Sequence, residues 1–197
     1  NDVRGDLIRK LSKGGRVGSD IDFPGTVNVA DKFKPLRYSL TDTEIKKYRW
    51  LGRETAEAVE TVCRRLEPGM DEYEIEAMTS AELRSRGIIP TVLLIAVDDR
   101  ISKYRHGLPN GQELEKYGMV NVCTEKWGLV IATTRFVHFG PLPEDIENKF
   151  QKVAEVNAKY EAFTQPGIEL STIFTRMKKW YADAGYDGEW KLHHQGG

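Results

Sequence analysis

The chain has 197 residues, 40% of them hydrophobic and 30% charged, which reads as a soluble globular protein of one domain with room for a small attachment. Its 29 basic and 30 acidic residues leave a net charge of −1 without a dense Lys/Arg block, so nucleic acid and anionic membrane surfaces are not indicated as partners. The longest apolar run, Val92 to Val97, is far too short to span a bilayer. Two cysteines, Cys63 and Cys123, lie in apolar-periodic segments; they read as reduced thiols of a cytoplasmic protein rather than as a disulfide framework.

Residues 1–40 read as irregular, a linker or the end of an N-terminal domain. Gly14-Gly15-Arg16-Val17-Gly18-Ser19 resembles a phosphate loop only faintly. It lacks the Lys-Ser/Thr ending and follows no clear strand, so it reads as a flexible turn. Residues 41–197 read as the main domain. Thr41 with Glu44 forms a capping box, and Ile45, Tyr48, Leu51, Val59, Val62 and Leu66 recur at helical spacing. Pro68-Gly69 stops that helix. Asp71 with Glu74 caps a second one, with Ile75, Met78 and Leu83 inward and Gly87 at its end. Ile88 to Val97 is apolar and partly β-branched, which predicts a buried strand.

The central stretch opens with Tyr104-Arg105-His106-Gly107-Leu108-Pro109, crosses a polar turn, and continues as two apolar runs, Met119 to Cys123 and Leu129 to Ala132. After it, Pro141-Leu142-Pro143 opens a third long helix whose buried face is expected at Ile146, Phe150, Val153, Val156, Tyr160 and Phe163. Pro166-Gly167 stops it. Ile173, Phe174, Met177, Trp180 and Tyr181 mark a fourth helix, ended by Gly185. At an offset of 98 residues, Pro68-Gly69 falls on Pro166-Gly167, Ile75 on Ile173 and Gly87 on Gly185. Two helix–Pro-Gly–helix units, each leading into a strand, predict a duplicated α+β domain. The second strand is expected from Trp190 to Gly197, and the chain reads as truncated there.

Duplicated units of this kind around His106-Gly107-Leu108-Pro109 resemble the pita-bread metallopeptidase family: methionine aminopeptidases, aminopeptidase P, prolidases and the metal-free creatinases. The resemblance covers roughly Thr41 to Gly197. It implies a pita-bread fold, a peptide or related amide substrate, a homodimer, and a histidine beside the substrate at His106. The family's metal ligands are two Asp, one His and two Glu. Anchoring the match on Gly128 and Thr134-Arg135 puts Asn121 and Ala132, eleven residues apart, at the two Asp positions. Both carboxylates are missing. The ligand histidine falls on His194 of His193-His194-Gln195-Gly196-Gly197, where Gln195 replaces the family's glycine; the two glutamates would follow Gly197.

Two divalent ions need carboxylates to neutralise and bridge them. Asn is a poor bridge and Ala offers no donor. The cofactor is therefore left open between one divalent ion (Zn, Mn or Fe) at His194 and none, with metal-free acid–base work at His106. Arg135 is a candidate for pairing a cleft carboxylate, although a surface salt bridge is the commoner fate of such a residue. His138 reads as structural, and a Cys123 nucleophile lacks a visible histidine partner. Two functions are carried: an Xaa-Pro aminopeptidase- or prolidase-like hydrolase with a reduced or lost metal site, and a non-catalytic peptide- or protein-binding protein on the same fold.

Overall fold

In the computed structural model, residues 3–192 are described, and the chain divides into two units, residues 1–50 and 51–197. The first unit departs from the irregular segment expected. It contains helix α1 (Val3–Ser12), two short strands, β1 (Gly18–Ser19) and β2 (Val27–Asn28), paired in parallel, and the single turn α2 (Ala30–Phe33). Helix α1 has no buried apolar stripe: Val3, Leu7 and Leu11 are all exposed. Its signal is instead Asp6 in the first turn and Arg9 and Lys10 in the last, the polarity that complements a helix dipole. The Gly14-Gly15 segment is the turn that ends it, with the Gly15 N–H donating to Ser12 O at 2.8 Å.

Helix α3 (Asp42–Cys63) begins where the capping box places it. The Thr41 N–H donates to Glu44 Oε2 at 2.7 Å, and the Glu44 N–H reaches Thr41 Oγ1 at 3.3 Å. The chain's division into units falls inside this helix, between Trp50 and Leu51. Its second part buries Leu51, Thr55, Val59 and Val62 completely. Gly69, at φ +97°, turns the chain into α4 (Glu72–Ser85), whose Asp71–Glu74 capping box is complete in both directions.

Among the described residues, the main sheet is antiparallel with order β3 (Ile89–Val97), β4 (Tyr117–Lys126), β5 (Leu129–His138). A bulge between Pro90 and Val92 interrupts the β3 register, at the one place where proline has removed a ladder donor. Trp127 and Gly128, both with positive φ, make the two-residue turn joining β4 to β5. Directly opposed residues share a face and alternate along each strand. The face bearing Ile95, Val97, Val120 and Val122 is fully or almost fully buried. It packs toward α3 and α4, where Thr55 and Thr124, both at 0% exposure, join their hydroxyls at 2.9 Å. This is the core.

Between β3 and β4 lie α5 (Asp99–Lys103) and the His106 loop. After β5 come α6 (Glu144–Phe163) and α7 (Leu170–Asp183), packed on each other. Helix α7 repeats α4 at the 98-residue offset, end for end. Gly167 and Gly185 take the same left-handed conformation as Gly69 and Gly87. The expected buried face of α6 is corrected: only Val156 is buried, while Phe150 and Val153 are exposed. No strand among the described residues covers that face, and residues 189–191 form a 3-10 turn where a strand is expected. No helix of the described chain is long and apolar enough to cross a membrane.

Candidate active-site cleft

The sheet face turned away from α3 and α4 carries Ala96, Met119, Asn121, Cys123, Ala132 and Thr134. Asn121 stands opposite Thr134 and donates from Nδ2 to Thr134 Oγ1 at 2.7 Å. Ala132 stands opposite Cys123, one step along the same face, so Asn121 and Ala132 are diagonal neighbours. The two positions matched to the family's aspartates therefore do converge. What they offer is a neutral amide already bonded to a threonine, and a methyl group.

The His106 loop lies on this same face. His106 itself is exposed in a turn after α5, whereas Gly107 is buried. A Cβ on Gly107 would lie 2.8 Å from Ala96 Cβ, closer than real carbon atoms approach. Glycine thus lets the loop backbone rest directly on β3.

A buried ion pair holds the loop from the other side. Glu72, in the first turn of α4, is 0% exposed. Its Oε1 accepts from the Val97 N–H at 3.1 Å and from Arg100 Nε at 2.8 Å. Its Oε2 accepts from the Asn110 N–H at 2.7 Å. Arg100 then donates from Nη2 to the Leu108 carbonyl at 2.6 Å and stacks over the Tyr104 ring. One carboxylate and one guanidinium thus join the end of β3, α5 and both residues that flank Pro109. Asp98 does similar work one step further on. Held at φ +49°, it accepts from the N–H groups of Glu115, Lys116 and Tyr117 at 2.8 to 2.9 Å, setting the entry to β4. None of these three residues stands out in the sequence. Glu72 looks like any acidic residue in a first helical turn, and its partners lie 25, 28 and 38 residues further along the chain.

Arg105, next to His106, and Thr134 line one cavity of about 630 Å³, together with Lys149, Lys152, Tyr181 and Tyr186. That volume suits a small ligand. Lys152 donates to the Ala184 carbonyl at 3.1 Å, and Arg105 faces Glu189 at 3.7 Å.

Other candidates lie elsewhere. Arg135 alternates to the α3 side of the sheet, where its guanidinium meets Glu60 Oε1 at 3.3 Å and Thr133 Oγ1 at 2.8 Å. The structure does not bring it to the Asn121 face. Cys63 lies beside it in a shallow pocket, and burial pushes its thiol up to about 11. His138 approaches Gly140 O through Nδ1 at 3.2 Å and packs against the Tyr117 ring, a structural setting. His193 and His194 lie outside the described residues.

Among the described residues no three His, Cys, Asp or Glu side chains are grouped to hold an ion. At the two aspartate positions there is one neutral amide, whose Nδ2 is bonded to Thr134, and a methyl group that offers no donor. These residues do not fit a bridged pair of divalent ions.

Comparison with known proteins agrees with the architecture. The model of metallopeptidase family M24 matches residues 46–197, and the chain belongs to that family. Comparison with curated proteins gave no match. Among solved structures the chain is similar to a prolidase from Pyrococcus horikoshii OT3, with a TM-score of 0.76 and 20% identity over 96% of this chain and 54% of that one. It is also similar to an X-Pro aminopeptidase from Thermotoga maritima MSB8 (TM-score 0.73, 18% identity, 92% of this chain and 51% of that one). A methionine aminopeptidase from Rickettsia prowazekii matches at a TM-score of 0.61 and 18% identity, over 73% of this chain and 61% of that one. The fold is thus the pita-bread fold, and the chain spans about half the length of the first two of these structures.

Proposed function

We propose that this chain is an Xaa-Pro-peptidase-like protein acting on small peptides or related amides without a bridged two-metal centre. The observation that carries the reading is the contrast within one sheet face. The aspartate positions are occupied by Asn121, bonded to Thr134 at 2.7 Å, and by Ala132. The His106 loop on that face is nevertheless braced by Glu72, Arg100 and Gly107. In this reading His106 moves the proton or polarises the scissile carbonyl, and His194 contacts substrate or holds a single divalent ion (Zn, Mn or Fe). The Arg135–Glu60 pair supports a scaffold role for Arg135 rather than a contact with substrate. Two free cysteines suit a reducing, cytoplasmic setting, and a homodimer follows from the family resemblance.

The test is hydrolysis of Xaa-Pro dipeptides by the complete protein before and after exhaustive chelation. The expected result is turnover that survives chelation and falls by about 100-fold or more in His106→Ala. Turnover lost on chelation and restored by one ion per chain assigns the chemistry to His194 and overturns the metal-free mechanism. No turnover on a broad amide panel overturns the enzyme reading. The second reading, a non-catalytic peptide- or protein-binding protein on the same fold, is favoured by the neutral side chains at these two positions, Asn121 with its Nδ2 bonded to Thr134 and Ala132 with no donor.

A further inference from the structure

We infer that Glu72 and Arg100 are positioning residues for His106, acting with Gly107 as a clamp that presets the loop before any ligand arrives. The inference rests on the reading of His106 as the working group, yet the geometry that carries it is independent of activity. Glu72 lies entirely out of solvent and Arg100 almost so, with 0% and 11% of their side chains exposed. A buried carboxylate and guanidinium stabilise a fold no better than apolar residues of similar volume, because each loses its hydration. Their arrangement instead serves placement. The carboxylate ties the Asn110 N–H to the Val97 N–H, and the guanidinium spans from that carboxylate to the Leu108 carbonyl. Both flanks of Pro109 are thereby referred to the end of β3. From the opposite side, Gly107 rests against Ala96 with no room for a methyl group. His106 follows directly: its next neighbour is seated on the sheet and the carbonyl two residues on is held by Arg100. Groups kept in place by packing and second-layer hydrogen bonds are the ones a reaction uses without reorganisation.

The experiment uses the full chain labelled with 15N-histidine, with ring signals assigned by single His→Gln variants. Arg100→Lys keeps a cation for Glu72, but a single ammonium does not span to the Leu108 carbonyl as well. Gly107→Ala forces the loop off Ala96, and Gly107→Ala combined with Ala96→Gly restores the space. The expected result is that the His106 ring signals shift or broaden in Arg100→Lys and in Gly107→Ala while those of His138 stay in place. The double variant returns the His106 signals toward the parent. Unchanged His106 signals in a folded Arg100→Lys protein would overturn the inference, as would failure of Ala96→Gly to restore them. Peptide turnover measured on the same proteins separates the two ideas. Shifted His106 signals in a chain that hydrolyses nothing keep the clamp and remove the peptidase reading.

Discussion

Replacing Glu72 with glutamine tests the buried network most directly, because it changes charge and hydrogen-bonding sense while keeping shape. In the parent chain one oxygen serves the Val97 N–H and Arg100 Nε, and the other serves the Asn110 N–H. The amide retains one acceptor oxygen. If that oxygen keeps Val97 and Arg100, the new NH₂ group confronts the Asn110 N–H, donor against donor; flipped, it confronts the other two. One hydrogen bond to a charged group is lost, at about 1.5–3 kcal/mol, and a buried donor is left unsatisfied at about 1–3 kcal/mol. A loss of about 3 kcal/mol is therefore expected. For a chain of this length that corresponds to roughly 6–12 °C in Tm. The assay is urea unfolding followed by circular dichroism, in which the midpoint should fall while the slope is unchanged. Arg100→Met, which leaves Glu72 unpaired in the interior, should cost about 3–5 kcal/mol. The double variant should cost clearly less than the two single losses added together. A loss below about 1 kcal/mol in Glu72→Gln would refute the argument that the carboxylate itself organises this corner.

The buried hydroxyl pair offers a second cycle. Thr124→Val alone should destabilise by about 1–3 kcal/mol, because it leaves the buried Thr55 hydroxyl without this partner, and Thr55→Val should cost less, because Thr124 Oγ1 still reaches the Ile131 carbonyl at 3.4 Å; the double variant should cost less than the two losses added, and additive losses in thermal melts would rule out the bond. The hydrogen bond from Arg86 holds the Glu54 carboxyl below its ordinary value. Its contribution is therefore fully present above about pH 4.5 and is lost as pH falls through the lowered native value. Glu54→Gln should narrow the gap in Tm between pH 6 and pH 3.5, and an unchanged gap would show that the pair is inert. The Cys63 thiol, pushed up to about 11 by burial, should react with a disulfide reagent slowly at pH 8 and faster as pH rises toward 11; a plateau below pH 9 would contradict its placement. All three need only the parent chain and point variants.

The parts of the fold legible in the sequence are those whose causes are local. Both capping boxes, the Pro-Gly stops and the left-handed glycines at 69, 87, 167 and 185 act within a few residues of themselves, so their spacing carries the duplication without any tertiary information. The convergence of Asn121 and Ala132 was legible only through the family match, since β-pairing register joins positions eleven residues apart by a rule that composition does not display. Helix α1 is not legible in the sequence because its apolar residues Val3, Leu7 and Leu11 are exposed and only Gly5 is buried, and a period of apolar residues is a signal of burial before it is one of helicity. The α6 face differs for the converse reason: its apolar period is real, but among the described residues no strand covers it. Glu72 is the most instructive miss. Its role comes from three groups 25, 28 and 38 residues further along the chain, and no local pattern separates it from a solvated first-turn acid. Positions that depart from the family's ligand pattern are thus visible in the sequence, whereas the residues that keep the loop beside them in place become visible only when the chain is folded.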